Sequence, residues 1–197
     1  MKRLLIAAIL GLSLFIMGVH VGVSYFTDVA LSKGNSISTG DFDIGISRDG
    51  SRFYDEHRLF SFEDMKPGES KRVEFYVKNR GDYEISKIYL VFNVTDLEDD
   101  ISKAEKEVDT SPEVGELGKY LRIGGIFVEL GGKSSEVPGV AEKSLRDING
   151  TTLEIFRGKL PPGEKLKVVM ILTLPEDVGN DCLTDRVVMN LTIVASQ

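Results

Sequence analysis

The sequence contains no tryptophan and a single cysteine, Cys182, among 197 residues. One cysteine cannot close an intramolecular disulfide, so the fold rests on burial. The expected role of Cys182 is a buried inert thiol, with an intermolecular bridge as the alternative. Histidine is almost as scarce: His20 lies in an N-terminal apolar run, which leaves His57 as the one imidazole of the remaining chain. Zinc hydrolysis needs three protein ligands, usually including two histidines at helical spacing with a glutamate as base. No His-Glu-x-x-His is present, and neither is a Gly-x-Ser-x-Gly nucleophile motif. Pairing Cys182 with His57 has only the lack of other candidates in its favour. Phosphate-cradling loops are missing too, since Gly124-Gly125 and Gly131-Gly132 read as strand bends and turns. The residues therefore predict no enzyme, no catalytic residue, no metal-ligand set and no cofactor.

Excess positive charge is also lacking. The formal net charge is −7, and removing Lys2 and Arg3 with a leader leaves 22 basic residues against 31 acidic, or −9. Nucleic acids and anionic membranes both demand basic patches, so neither is an expected partner. Solubility is the simplest role for the acidic surface.

The apolar run is itself a targeting signal. Met1-Lys2-Arg3 is a short positive start, Leu4 to Val19 is nearly continuous apolar sequence, and Gly22 and Ser24 suit the −3 and −1 positions of a cleavage site between Ser24 and Tyr25. Residues 1–24 are read as a signal peptide. The alternative is an uncleaved anchor, because Leu4 to Val23 approaches the ~20 residues that span a bilayer. That leader would be the chain's only contact with a membrane. A type IV pilin leader is not indicated, for no Gly-Glu-type processing site precedes the apolar run. What remains is enough for about one domain with its own core.

Beyond the leader the dominant period is two. Phe42, Ile44 and Ile46 alternate with Asp41, Asp43 and Gly45, which marks a strand with one buried face. The polar segment Ser47 to Arg58 gives that strand no partner next to it in sequence. Leu59 to Phe62 is a short apolar patch. Ser70 to Asn79 points Val73, Phe75 and Val77 inward, and Ile85 to Thr95 does the same with Ile88, Leu90, Phe92 and Val94. Arg80-Gly81-Asp82 matches an integrin-type triplet, but a Gly- and Asp-rich turn is the better reading. Residues 96–120 form the least β-like part, with the acidic run Asp96 to Asp100, about two helical turns from Ile101 to Val108 and a helix start at Ser111. The run lacks EF-hand spacing, so a solvated acidic helix start is favoured over a calcium loop.

Strand patterns return at Leu121 to Leu130, with a bulge or bend at Gly124-Gly125, and at Thr151 to Phe156. The intervening Gly131 to Gly150 reads as loop, with a turn of helix around Ala141 to Leu145. Leu166 to Leu174 and Val187 to Ala195 complete the set. Pro-Gly-Glu before an alternating strand occurs twice, at 67–69 and 162–164, and suggests two related hairpins. Seven or eight strands and one helical insertion predict an all-β, antiparallel β-sandwich over 47–197, preceded by an N-terminal strand segment at 25–46.

Three sequons stand out: Asn93-Val94-Thr95, Asn149-Gly150-Thr151 and Asn190-Leu191-Thr192. Asn93 and Asn190 fall on the outward parity of their strands and Asn149 in a Gly-containing loop, so all three are glycosylation candidates.

Several blocks carry a family resemblance. Tyr25-Phe26-Thr27-Asp28, then Asn35-Ser36-Ile37, then Thr39-Gly40-Asp41-Phe42-Asp43-Ile44 resembles the start of mature TasA and camelysin proteins. Lys66-Pro67-Gly68-Glu69-Ser70, with Phe75, Val77, Asn79 and Gly81, is similar to a second block of that family. The resemblance is clearest over residues 1–95. It implies a jelly-roll-like sandwich and cleavage before Tyr25. It also implies a secreted or cell-surface subunit that polymerises into extracellular filaments of a biofilm matrix or archaeal bundling-pilus type. By donor-strand complementation, Tyr25, Phe26, Asp28, Ile37, Phe42, Ile44 and Ile46 would leave their own subunit and complete a sheet of the next. The expected partners are copies of the same chain, joined head to tail, and other filament subunits of the family. Some relatives are called camelysins and classed as metallopeptidases, so a secreted peptidase is a further reading, beside a monomeric surface binding module.

Overall fold

In a computed structural model of the chain, the described residues are 27–31, 43–55, 60–63, 65–98, 105–107, 114–179, 182 and 184–197. They form ten strands: β1 (Thr27–Leu31), β2 (Ile44–Ser47), β3 (Phe60–Phe62), β4 (Ser70–Asn79), β5 (Ile85–Leu97), β6 (Arg122–Leu130), β7 (Lys133–Glu136), β8 (Thr152–Leu160), β9 (Lys165–Thr173) and β10 (Arg186–Ser196). Two one-turn helices accompany them, α1 (Leu117–Tyr120) and α2 (Leu145–Ile148), with a 3-10 turn at Glu105–Glu107. One sheet runs β1-β10-β5-β8, with β3 also beside β10, and the other runs β2-β4-β9-β6-β7. Every pairing is antiparallel. This is the β-sandwich that the alternation predicts.

The period-two strands become the two inner faces. Val73, Phe75 and Val77 of β4 and Leu166, Val168, Met170 and Leu172 of β9 meet Ile88, Leu90 and Phe92 of β5 and Val187, Met189, Leu191 and Ile193 of β10 in one core. The long β5–β10 ladder, in register from Arg186↔Leu97 to Ser196↔Lys87, is the spine of the first sheet. At about 25 cal/mol per Å² of apolar area, burying side chains on this scale is the main stabilising term.

Both Pro-Gly-Glu turns differ from the expected hairpins. β3 and β8 belong to the first sheet, whereas β4 and β9 belong to the second, so each turn carries the chain from one sheet to the other. Gly68 (φ 81°) and Gly163 (φ 83°) supply the left-handed residue that such a turn requires. Asn79 locks the second crossover from below. Its backbone pairs with the turn (Asn79 N–H to Glu164 O, 3.0 Å; Gly163 N–H to Asn79 O, 2.8 Å). Its buried amide donates to the carbonyls of Leu160 (2.9 Å) and Tyr83 (2.7 Å) and accepts from Gly81 N–H (3.1 Å).

Two segments were placed differently by sequence. Gly131 to Gly150 is not all loop: Gly131 and Gly132, both at positive φ, make a two-residue hairpin turn between β6 and β7. The helical turn expected around Ala141 to Leu145 lies at Leu145–Ile148, where Ser144 and Asp147 form a reciprocal capping box. The bulge expected at Gly124-Gly125 is present as a register shift against β9 between Ile123 and Gly125.

Candidate functional site

The segment from Tyr25 to Ile46 divides between the two sheets. β1 pairs with β10 from Thr27↔Ser196 to Leu31↔Thr192, and β2 pairs with β4 from Ile44↔Asn79 to Ser47↔Tyr76. Of the expected donor-strand residues, Tyr25, Phe26, Ile37 and Phe42 lie outside the described residues, as do the expected leader and the Ser24–Tyr25 junction. Asp28 sits in β1 opposite Ala195. Ile44 and Ile46 are fully buried in β2.

β2 is held more firmly than its length suggests. Ile46 exchanges two backbone hydrogen bonds with Tyr54 (2.8 and 2.9 Å), so the polar segment after β2 folds back on it. Arg80 clamps the entry to this strand: its guanidinium donates to the Asp43 carboxylate (2.6 Å), to Ile44 O (3.2 Å) and to the Asp55 carboxylate. Burial alone would lower the Arg80 pKa, yet the two carboxylates outweigh it and the net shift is upward. The Arg-Gly-Asp triplet is thus a turn whose arginine is used internally, which agrees with the turn reading.

The outer edge of β10 is shared. β3 covers Val187 to Met189 and β1 covers Thr192 to Ser196, so two short strands tile one long one. Only β1 is separated from the next described residue on its C-terminal side by a long connection, residues 32–42. The inner-facing residues under β1, Ile193 and Ala195, are fully buried.

A second feature lies at one end of the sandwich. Carboxylate oxygens of Glu98, Glu116 and Asp185, from the end of β5, the approach to α1 and the approach to β10, all lie within 4.8 Å of one another. Asp185 is 1 % exposed, and its Oδ2 accepts from the backbone N–H groups of Glu116 and, at 3.1 Å, Leu117. It therefore caps the start of α1 from a distant part of the chain. Asp96 accepts from Gly118 N–H (2.6 Å) and from Arg146 (3.0 Å). At Asp96 the expected solvated acidic helix start is not what forms, while Asp99 and Asp100 lie outside the described residues. Asp96 ends a strand rather than starting a helix, and its side chain is mostly buried because it binds α1 and α2 together. Sequence reading noticed Asp96 and Glu98 but not Glu116 or Asp185, whose roles depend on tertiary proximity alone.

The metal chemistry of that trio can be judged from its donors. Three carboxylates offer only oxygen, which suits a hard cation such as calcium. A hydrolytic zinc site instead draws on histidine nitrogen, and both histidines of the chain, His20 and His57, lie outside the described residues. The trio, three carboxylates with no imidazole, does not fit a zinc peptidase centre.

Cys182 is buried, as expected of an inert thiol. Among the described residues no helix is long and apolar enough to cross a membrane. The sequon residues Asn93 and Asn149 are exposed, and Asn190 is half-buried.

Comparison with known proteins adds a family to this geometry. No curated protein sequence matches the chain. A solved structure, AvmM, described as catalysing macrocyclization in alchivemycin A biosynthesis, is similar over 61% of this chain and 67% of its own, at 14% identity and a TM-score of 0.31. A likeness that low carries no argument. The profile of the camelysin metallo-endopeptidase family, by contrast, matches residues 2–160, including β1, β2, the second block around Asn79 and the β5 spine. The chain belongs to the camelysin family, the TasA/camelysin group of secreted and cell-surface proteins.

Proposed function

We propose that this protein is a secreted structural subunit that polymerises into extracellular filaments by lending β1 to the next subunit. The observation behind this reading is the divided edge of β10. A strand edge is a template for pairing, and an added strand gains affinity from backbone hydrogen bonds and register from its side-chain pockets. If β1 leaves, Thr192 to Ser196 become such an edge, above an already formed core.

Reach does not forbid the exchange. Eleven residues, 32–42, join β1 to the first residue before β2, and a fully extended chain of that length spans about 36–40 Å. A domain of ~150 residues has a radius of gyration of about 15 Å. The connection is therefore long enough for β1 to pass to a neighbour while β2, pinned by Arg80 and Tyr54, stays at home. A head-to-tail contact of this kind does not close on itself and propagates as a fibre. Relative to the sequence reading, the donor narrows to the part before residue 43, with Ile44 and Ile46 as resident core.

Gel filtration and mild-detergent electrophoresis of the exported chain test the reading. A denaturant-resistant ladder supports it; one small species that never enlarges points to the second reading, a monomeric surface module. That reading draws on β1 pairing in register with β10 of its own chain. The family description as a metallo-endopeptidase keeps a peptidase in view. Chelator-sensitive casein cleavage lost in a His57→Ala variant would support it, whereas cleavage that survives the change would remove any scheme using that residue.

A further inference from the structure

The three sequons, far apart in sequence, meet in one place. Asn93 of β5 and Asn190 of β10 are direct cross-strand partners in the spine ladder. Their strand neighbours Phe92, Val94, Met189 and Leu191 are all buried, so both asparagines stand on the outer face of the first sheet. Asn149 joins the row from the other side. Beyond the start of β8, Thr151 O accepts from Phe92 N–H (3.2 Å), Gly150 N–H donates to Phe92 O (2.8 Å), and the Asn149 side-chain oxygen accepts from Val94 N–H (2.9 Å). The loop thus extends the β8 edge along β5 until Asn149 lies beside the Asn93–Asn190 pair.

Asparagine is a poor strand former, and two of them opposed at the middle of the longest ladder gain little for the sheet. The residues around them on this face, Val91, Val188 and Val194, are good strand formers and half-exposed. We propose that this row is a glycan-bearing face, with N-linked oligosaccharide on the sheet pair Asn93/Asn190 and on Asn149. The sugar would shield the valines and keep this face toward solvent.

The chemistry is a group transfer without redox change. The asparagine side-chain nitrogen attacks C1 of an oligosaccharide carried on a polyprenyl phosphate or diphosphate, under a membrane oligosaccharyltransferase met during export. A C1–N bond forms as the C1–O bond breaks, the polyprenyl phosphate or diphosphate of the donor leaves with the electron pair, and the amide proton passes to an enzyme base. The threonine two residues on completes each acceptor motif. At Asn149 the fold tolerates the product, because the atom bonded to Val94 N–H is the side-chain oxygen and the glycan is carried by the nitrogen.

The test is peptide mass mapping of the protein purified from its native host. The expected result is that the peptide holding Asn93 or the peptide holding Asn190 is heavier than its sequence by whole sugar residues, and that N93Q or N190Q returns it to the bare mass. Unmodified peptides at both positions overturn the proposal, including the case in which Asn149 alone is modified, since a loop sequon does not make a glycan face. An added mass that persists in the Gln variants overturns it as well.

Discussion

Asn79 offers the sharpest test of how the two sheets are joined. Its side chain makes three hydrogen bonds, two donated to Leu160 O and Tyr83 O and one accepted from Gly81 N–H, and the residue is 0 % exposed. In Asn79→Ala the Leu160 carbonyl loses this donor inside the core, at a cost of about 1–3 kcal/mol. The bonds to Tyr83 and Gly81 lie nearer solvent and contribute about 0.5–1 kcal/mol each. The expected loss is about 2–5 kcal/mol, or roughly 4–20 °C in Tm for a domain of this size. Asn79→Asp separates hydrogen bonding from shape. An ionised carboxylate can only accept, so it faces two carbonyls with no proton to offer, and the isosteric Asp variant should lose at least as much as the Ala variant. Thermal unfolding followed by circular dichroism measures both. An Asp variant within about 1 kcal/mol of the parent, well below the penalty for an unmet buried acceptor, would refute this role for Asn79.

Ile46→Ala should cost about 2–4 kcal/mol in chemical denaturation, as for other fully buried large-to-small changes; a loss under about 1 kcal/mol would mean that β2 is not resident core. Asp185→Ala removes the acceptor of the Glu116 and Leu117 N–H groups and should cost about 1–3 kcal/mol, with protease nicking near α1 as a second readout. An intact α1 region in that variant would contradict the capping role. Hydrogen bonds from the Ser51 hydroxyl and N–H, the Ser47 hydroxyl and Arg52 N–H hold the Asp49 carboxyl well below its ordinary range. The folded value is the depressed one, so this stabilisation is complete above the unfolded carboxylate pKa of about 4 and is lost as pH falls through the folded value. Tm should therefore drop less steeply below about pH 4 in Asp49→Asn than in the parent, and equal slopes would count against the interaction.

Legibility in the sequence followed burial. β4, β9 and β10 alternate because one face of each is core, and their inward residues were readable in advance. β7 is Lys-Ser-Ser-Glu, exposed along its whole length, so it leaves no hydrophobic period; its one available signal was the Gly131-Gly132 pair. β1 and β3, five and three residues long, are too short for a period to register. The Pro-Gly-Glu turns were visible as turns, but whether such a turn closes a hairpin or changes sheets depends on which strands meet later. Asp185 belongs to the same class, since its partners Glu116 and Leu117 lie in a distant segment, and for Asn79 the bond to Leu160 O is the part that no local pattern marks. The sequons were plain one by one, while their meeting in a single row follows only from the β5–β10 register.

The most direct measurement is negative-stain electron microscopy of two purified chains, one beginning at Tyr25 and one at Asp43. The second keeps β2, Ile44, Ile46 and the Asp43–Arg80 pair, so it should fold without the donor. Filaments from the first and single small particles from the second are the predicted pair of results. Filaments from both, or small particles from both, would contradict assembly through β1.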